Sequence, residues 1–303
     1  MTTFAKLSKP SDFDAALERV SAITSRASNV AGQSVLSDQA LIEVKSGVRQ
    51  LRLITRVSDG KPLGFIAYGG HEFDLIIDPD FRKQGIGSFA LDEFLNELDS
   101  NKADRTSALH TWVHGEDSAA EKLLSARGFK ADRSLLKLVL REIKPVPSAD
   151  SPRGQDTQIQ LRNFQESDVD AWVKLNAEVF AAHPEQSAST ATDVADRMRE
   201  SWFDAHNFIL ATNSSGEILG YCWLKVQPGA SEGEVYVLGV SPRASGSGLG
   251  SKLFNAGLAR LSEIGVKSAF LYVEAENLTA LRIYQKSGFE IDSRSAQWSR
   301  IRS

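Results

Sequence analysis

Two stretches of this chain carry residue types whose spacing suits the binding of an anion. In Ser245-Gly246-Ser247-Gly248-Leu249-Gly250-Ser251, three glycines separate a β-forming run, Val235 to Val240, from a helical stripe of Leu249, Leu253, Leu258 and Leu261. Pro242 forbids continuation as a central strand, and glycine permits positive φ and close backbone approach. Strand, glycine loop and helix N-terminus together aim several free N–H groups and a helix dipole at one point, which suits a diphosphate. An ordinary βα connection has the same ingredients, so one such loop identifies no ligand. The arrangement occurs twice. Asp74 to Pro79 is followed by Arg82-Lys83-Gln84-Gly85-Ile86-Gly87-Ser88 and a helix-like run from Phe89 to Leu98.

Spacing separates the glycine-loop classes. No Gly-x4-Gly-Lys-Ser/Thr run exists for a P-loop, and Gly246-Ser-Gly248-Leu-Gly250 is not the dinucleotide G-x-G-x-x-G. The earlier copy fits R-x-x-G-x-G throughout, and both resemble the R/Q-x-x-G-x-G/A loop of the GNAT N-acetyltransferases. In that family the loop wraps the pyrophosphate of coenzyme A. Further landmarks repeat in the same order. Gly248 follows Gly85 by 163 residues, Gly288-Phe289 follows Gly128-Phe129 by 160, and Gly220-Tyr221 follows Gly64-Phe65 by 156. A period this long denotes a duplicated globular domain.

Amide formation from a thioester needs a deprotonated amine, a polarised carbonyl, a proton for the leaving thiolate and a carrier held in line. Glu234 begins the later β-run and reads equally as the base, acting directly or through water, or as a solvated strand-end acid. Leu238, Gly239 and Val240 offer backbone N–H groups to the carbonyl if the strand bulges there, as Gly239 allows. Tyr284 stands four residues before Gly288, where GNAT enzymes often place an acidic tyrosine; packing in the core is the alternative for a helical tyrosine. The repeat supplies a comparison. Counting back eight residues from Pro242 reaches Glu234, and from Pro79 reaches His71; the 160-residue offset aligns Tyr284 with Leu124. Leucine donates no proton. One working active site is therefore expected, in the C-terminal half.

The elements that must position these residues follow from periodicity. The first half reads as a helix over 11–28, a hairpin of 51–57 and 63–68, the glycine loop and helix, strand 108–113, helix 119–126 and strand 133–143. Lys144 to Gly154 is rich in proline and serine and reads as a linker. The second half reads as strand 159–162, helices 168–180 and 193–202, a hairpin of 208–211 and 218–226, the central strand and loop, strand 269–273, helix 278–286 and a last strand near 297–301. Strands alternating with single helices give a mixed-sheet α/β (α+β) fold, and the resemblance implies that it is built as two tandem GNAT domains. Their bounds are 1–143, a linker at 144–156, and 157–303.

At 303 residues the chain has room for two ordinary domains, and 42% apolar with 24% charged residues is a globular composition. A net charge of −4 provides no basic field for nucleic acid or anionic membrane, and no apolar run approaches spanning length. The single cysteine, Cys222, excludes an intrachain disulfide and reads as a small buried hydrophobe in a strand. These features lead to expectations of a cytoplasmic location, a monomer, and neither metal, nucleic acid nor membrane as partner.

Longer stretches carry a more specific resemblance. Phe180-Ala-Ala-His-Pro-Glu-Gln186, Ser201-Trp-Phe-Asp204, Trp223-Leu-Lys-Val226, Gly233 to Val240, Leu271-Tyr-Val-Glu-Ala-Glu-Asn277 and Arg282-Ile-Tyr-Gln285 resemble the mycothiol synthases, a family of tandem GNAT acetyltransferases. The resemblance implies acetyl-CoA as co-substrate and desacetylmycothiol, a cysteine–glucosamine–inositol amine, as acceptor. It places Gln33, Glu185, Lys225, Glu234 and Tyr272 against the acceptor. It places Leu238 to Val240, Ser245 to Ser251, and Asn277, Leu278, Thr279, Ala280, Leu281 and Arg282 against acetyl-CoA, with Tyr284 as general acid. Leu75, Ile76, Ile77 and Lys83 to Ser88 would hold a second coenzyme. Two stretches depart from the family. Ser245-Gly246-Ser247 replaces basic or glutamine residues, and Gln33 replaces a glutamate. Rival readings are a GNAT enzyme for a protein N-terminus or an aminoglycoside, and a non-catalytic coenzyme A sensor.

Overall fold

Alternation and helical periodicity place the elements as follows in a computed structural model, which describes residues 4–32, 34–100, 107–115, 117–144, 159–181 and 189–301. The first half runs β1 (Ala5–Ser8), α1 (Phe13–Ala31), α2 (Asp38–Lys45), β2 (Gln50–Arg56), β3 (Pro62–Gly69), β4 (Glu72–Ile77), α3 (Ile86–Ser100), β5 (Ala108–Val113), α4 (Ser118–Ser125) and β6 (Lys130–Leu140). The second runs β7 (Gln160–Asn163), α5 (Val169–Val179), α6 (Ala191–Met198), β8 (Phe208–Thr212), β9 (Ile218–Lys225), β10 (Glu232–Val240), α7 (Leu249–Ile264), β11 (Ser268–Glu274), α8 (Leu278–Lys286) and β12 (Glu290–Ile301). Short 3-10 turns at Pro79–Phe81 and Pro242–Ala244 join β4 to the first glycine loop and β10 to the second. No helix among the described residues is long and apolar enough to cross a membrane.

By packing, the chain divides into two units. The first comprises residues 1–135 with 293–303, and the second residues 136–292. This division departs from the sequence boundary at 144–156. Leu136, Leu138 and Leu140 pack in the core of the second unit, and Trp298 packs in that of the first. In the first unit β12 pairs antiparallel with β5, from Ala296 opposite Val113 to Ile301 opposite Ala108. Each half of the chain thus supplies the strand that completes the other half's sheet. Residues 145–158 lie outside the described structure, so the expected linker is not placed.

Within the first unit β2, β3 and β4 form an antiparallel meander with β1 at its edge, and β5 runs parallel to β4. The second unit repeats this with β7, β8, β9 and β10 antiparallel and β11 parallel to β10. One face of the second sheet packs on α7 and α8, burying Cys222, Leu224, Val235, Leu253, Phe254, Leu258 and Tyr284. The other face packs on α5 and α6, with Trp172, Trp202, Phe208, Tyr221 and Trp223 in a second cluster. Period-two alternation along β9 and β10 sends neighbouring residues to these two different cores. The repeated Gly220 is explained here: a Cβ would stand 2.9 Å from the carbonyl of Gly239 and 2.8 Å from Leu253.

Candidate active site

The loop after β10 is built from its glycines. Gly246 and Gly248 take left-handed φ of 78° and 82°, and beyond the adjoining residues nothing lies within 4 Å of where a Cβ would stand on either. Ser247 Oγ donates to the Ala244 carbonyl at 2.6 Å and accepts from the Leu249 amide at 3.4 Å, pinning the turn. The helical ladder of α7 begins with Lys252 N–H donating to the Gly248 carbonyl at 3.1 Å. The amides of Gly250 and Ser251 therefore precede the ladder at the positive end of a sixteen-residue helix. Leu249 itself is buried, so only its backbone belongs to the loop. Nearby, Arg243 is held by Glu217 at 2.7 Å and Glu178 at 3.7 Å, leaving backbone groups as the loop's main anion donors.

The first unit builds the same cradle with more strain. Gly85 has φ of 78°, and Lys83, a non-glycine, has φ of 59°. Phe89 N–H donates to the Gly85 carbonyl, so Gly87 and Ser88 precede the ladder of α3. Lys83, Gln84 and Ser88 are exposed, whereas Ile86 is buried. In both loops backbone amides at a helix N-terminus lie beside glycines with open Cβ positions, an arrangement suited to an anion.

Beside each loop the parallel strands part. β10 and β11 pair only at Glu232–Ser268, Gly233–Ala269 and Glu234–Phe270. Ser241 N–H donates to Leu219 of β9 at 2.8 Å. Alternation then turns the Gly239 amide toward β9 and the Leu238 and Val240 amides toward the edge that β11 leaves open. Gly239 accordingly contributes no donor to the opening, a correction to its expected place among the coenzyme-binding amides. The bulge is also displaced. It falls between Val235 and Val237, at Tyr236, while Gly239 pairs regularly with Tyr221. Gly239 is required instead because a Cβ would stand 2.5 Å from the Tyr221 ring, whose hydroxyl donates to the buried Asn176 at 2.6 Å. In the first unit Asp78 N–H donates to Leu63, which likewise turns the Leu75 and Ile77 amides outward and that of Ile76 toward β3.

Opposed residues in neighbouring strands share a face, so Glu234, Lys225 and Phe270 stand together, and alternation adds Tyr272 and Glu274. Glu234 is 9% exposed, and Lys225 Nζ lies 4.0 Å from its Oε2. The same ammonium lies 5.4 Å from the Trp202 ring centroid and 5.7 Å from that of Tyr236. Tyr272 is exposed on this face. Three predicted acceptor residues are thus brought to one surface; Gln33 and Glu185 lie outside the described residues.

Tyr284 belongs to the opposite face. Its ring packs 5.1 Å from Phe254 and 6.3 Å from Phe289. Burial, with Cys222 adding, pushes the phenol well above its ordinary pKa, so it keeps its proton at neutral pH. Its hydroxyl has no protein hydrogen-bond partner among the described residues and is not one of the fully enclosed polar atoms. Cys222 is buried and its thiol is pushed up to about 12, which removes it as a thiolate nucleophile. On α8, Leu281 turns into the core, leaving Asn277, Leu278, Thr279 and Arg282 exposed, and Ala280 partly so. Asn277 caps this helix by accepting from the Ala280 amide at 3.1 Å.

The comparison between halves changes at the bulge. In the first unit Glu72 pairs with His110, as Glu234 pairs with Phe270, and β3–β4 pairing runs without interruption. The extra residue at Tyr236 makes Glu72, not His71, the counterpart of Glu234. Arg49 Nη2 donates to Glu72 at 2.8 Å, and the same buried guanidinium donates to Asp74 at 2.5 Å and Glu43 at 2.8 Å. Burial, with Glu72 and Glu43 adding, raises the Asp74 carboxyl to about 7 against the pull of Arg49. Leu124, opposite Tyr284 in the repeat, is a core residue. Arg49 and Arg197 were not singled out in the sequence, and Trp202 and Tyr236 stood in resembling stretches without a role assigned to either. Alternation two residues from Glu234 would have pointed to Tyr236; nothing local marks the others.

Comparison with known proteins agrees with this geometry. The acetyltransferase (GNAT) family model matches residues 30–129 and 170–289. The mycothiol acetyltransferase of Clavibacter sepedonicus is 35% identical over 289 residues, 94% of this chain and 92% of that protein. That of Geodermatophilus obscurus is 33% identical over 304 residues, 95% of each. In fold, the chain is similar to a GCN5-related N-acetyltransferase from Sphaerobacter thermophilus, with a TM-score of 0.72 and 20% identity, covering 99% and 96% of the two chains. A tandem GNAT protein from the clavulanic acid biosynthesis pathway gives a TM-score of 0.72 at 17% identity, covering 98% of both. Two glycine cradles, each beside a pair of parting strands, and relatives matched along almost the whole length identify the chain as a tandem acetyltransferase of the GNAT family, belonging with the mycothiol acetyltransferases.

Proposed function

We propose that the second unit transfers the acetyl group of acetyl-CoA to the cysteinyl amine of desacetylmycothiol. The observation that carries this reading is the Glu234–Lys225 pair at the last paired position of β10 and β11. There a carboxylate and an ammonium meet the opening toward which the Leu238 and Val240 amides turn. Glu234 takes a proton from the acceptor's ammonium, directly or through water, freeing the lone pair. The Leu238 and Val240 amides donate to the carbonyl oxygen as it gains charge. The amides around Gly246 to Ser251 hold the pyrophosphate, with Asn277 to Arg282 along the carrier. As the C–N bond forms and the C–S bond breaks, Tyr284 gives its proton to the departing thiolate. Lys225 and Tyr272 bind the hydroxyl-rich remainder of the acceptor.

In the first unit the Leu75 and Ile77 amides and the loop from Lys83 to Ser88 fit a coenzyme, while Leu124 offers no proton and Arg49 occupies Glu72. That unit is read as catalytically silent. The test is incubation of the purified protein with acetyl-CoA and one amine at a time, with the acetylated product identified by mass spectrometry. Desacetylmycothiol is expected to be consumed in preference to an aminoglycoside or a peptide N-terminus. Preferred acetylation of either competitor overturns the acceptor assignment; coenzyme binding without any turnover overturns the enzyme reading of the second unit.

A further inference from the structure

The bulge at Tyr236 does more than offset the repeat. An added residue lets Tyr236 and Val237 both join the face that carries Trp223, Lys225 and Glu234, because a bulge interrupts alternation. Tyr236 packs edge-on to Trp223 at 5.5 Å and to Trp202 at 5.4 Å. Its hydroxyl accepts from Arg197 Nε at 2.9 Å, and Arg197 Nη1 is tied to the Asp193 carbonyl at 2.9 Å within α6. The Lys225 ammonium then rests over two rings that are themselves fixed, with Glu234 Oε2 at 4.0 Å. A lysine on a four-carbon stem loses much rotamer freedom when held this way, and a two-ring seat offsets that loss.

We propose that Tyr236, locked by Arg197 and seated beside Trp202, is a positioning residue that holds Lys225 against Glu234 for the acceptor. The clamp belongs to the acceptor half of the reaction alone. Its rings, its arginine and its lysine all lie on the α6 face of the sheet, whereas the loop of Gly246 to Ser251 begins α7 on the other. This inference rests on the reading of the Glu234 face as the acceptor site.

The experiment is steady-state kinetics of the full chain with desacetylmycothiol and acetyl-CoA, each varied in turn. Tyr236→Leu is expected to raise the acceptor KM about tenfold, the scale of a desolvated cation–π seat, and to leave the acetyl-CoA KM unchanged. Arg197→Met, which keeps both rings and frees the phenol, is expected to move the same constant in the same direction by less. Tyr236→Trp restores a ring under the ammonium and is expected to recover most of the lost affinity. An unchanged acceptor KM in a folded Tyr236→Leu protein overturns the proposal, as does an equal rise in both KM values, which would reveal general loosening. Should Tyr236→Leu fail to fold, Arg197→Met decides, and an unaltered acceptor KM there overturns the lock. Glu234→Gln runs alongside: if it retains full turnover, the acceptor-face reading itself has failed, whereas its loss of turnover beside a silent Tyr236 series overturns the clamp alone.

Discussion

Glu234 and Tyr284 serve one proposed reaction from opposite faces of a sheet, and the parted strands are what allow both to address the same bond. The phenol is the sharper test, because its ring would pack equally well without its oxygen. Tyr284→Phe is expected to lower kcat about a hundredfold, the ordinary weight of a positioned acid, while acetyl-CoA binds as before by calorimetry. An unchanged kcat removes the acid assignment. The sequence proposed both residues, Glu234 from its place at the start of the β-run and Tyr284 from its place before Gly288. The aromatic clamp was not. Arg197 meets Tyr236 across 39 positions, through a bulge that no local pattern announces. The same bulge explains why counting residues between halves reached His71, when strand pairing selects Glu72.

At the scale of elements, the sequence located most segments but not all of their bounds: β12 begins at Glu290, well before the expected 297–301. The helix over Leu278–Lys286 and the strand over Ala108–Val113 appear at the expected residues. β1, four residues long, and α2, eight residues long, were missed, although β7 and α4 have the same lengths and were read. Gly239 illustrates a different failure: its glycine signal was real, but the cause was the crossing Tyr221 ring and not a bulge. The seating of α7 on β9 rests on a comparable close approach. A Cβ at Gly257 would stand 2.7 Å from Cys222 Sγ and 3.3 Å from Leu224. Gly257→Ala is therefore expected to destabilise the protein by about 1–3 kcal/mol through overpacking, read as a lower Tm. Adding Cys222→Ala should recover part of that loss, and strict additivity of the two changes would refute the contact as its cause.

At the scale of the whole molecule, the duplication was legible from landmark spacing, but the exchange of closing strands was not. Periodicity marks a strand and does not name the sheet it joins. The division by packing assigns residues 136–144 to the second unit and 293–301 to the first. Cutting the chain between 144 and 159 should therefore leave two incomplete sheets with bare edges at β5 and β11. Separately expressed fragments 1–144 and 159–303 are expected to be unfolded or aggregated, and to regain cooperative melting and acetyltransferase activity when produced together. Two fragments that each melt cooperatively alone would refute this interdependence.

The exchange also orders the birth of the protein in time. A ribosome has made everything else in the first unit by residue 135, yet the segment that seals its sheet starts 158 residues later, at Ser293. At ordinary elongation rates the half that emerges earliest waits roughly 10–30 s with β5 uncovered. The second unit, supplied in advance with residues 136–144, can assemble as it is translated, so nascent-chain protection falls most heavily on the earlier half.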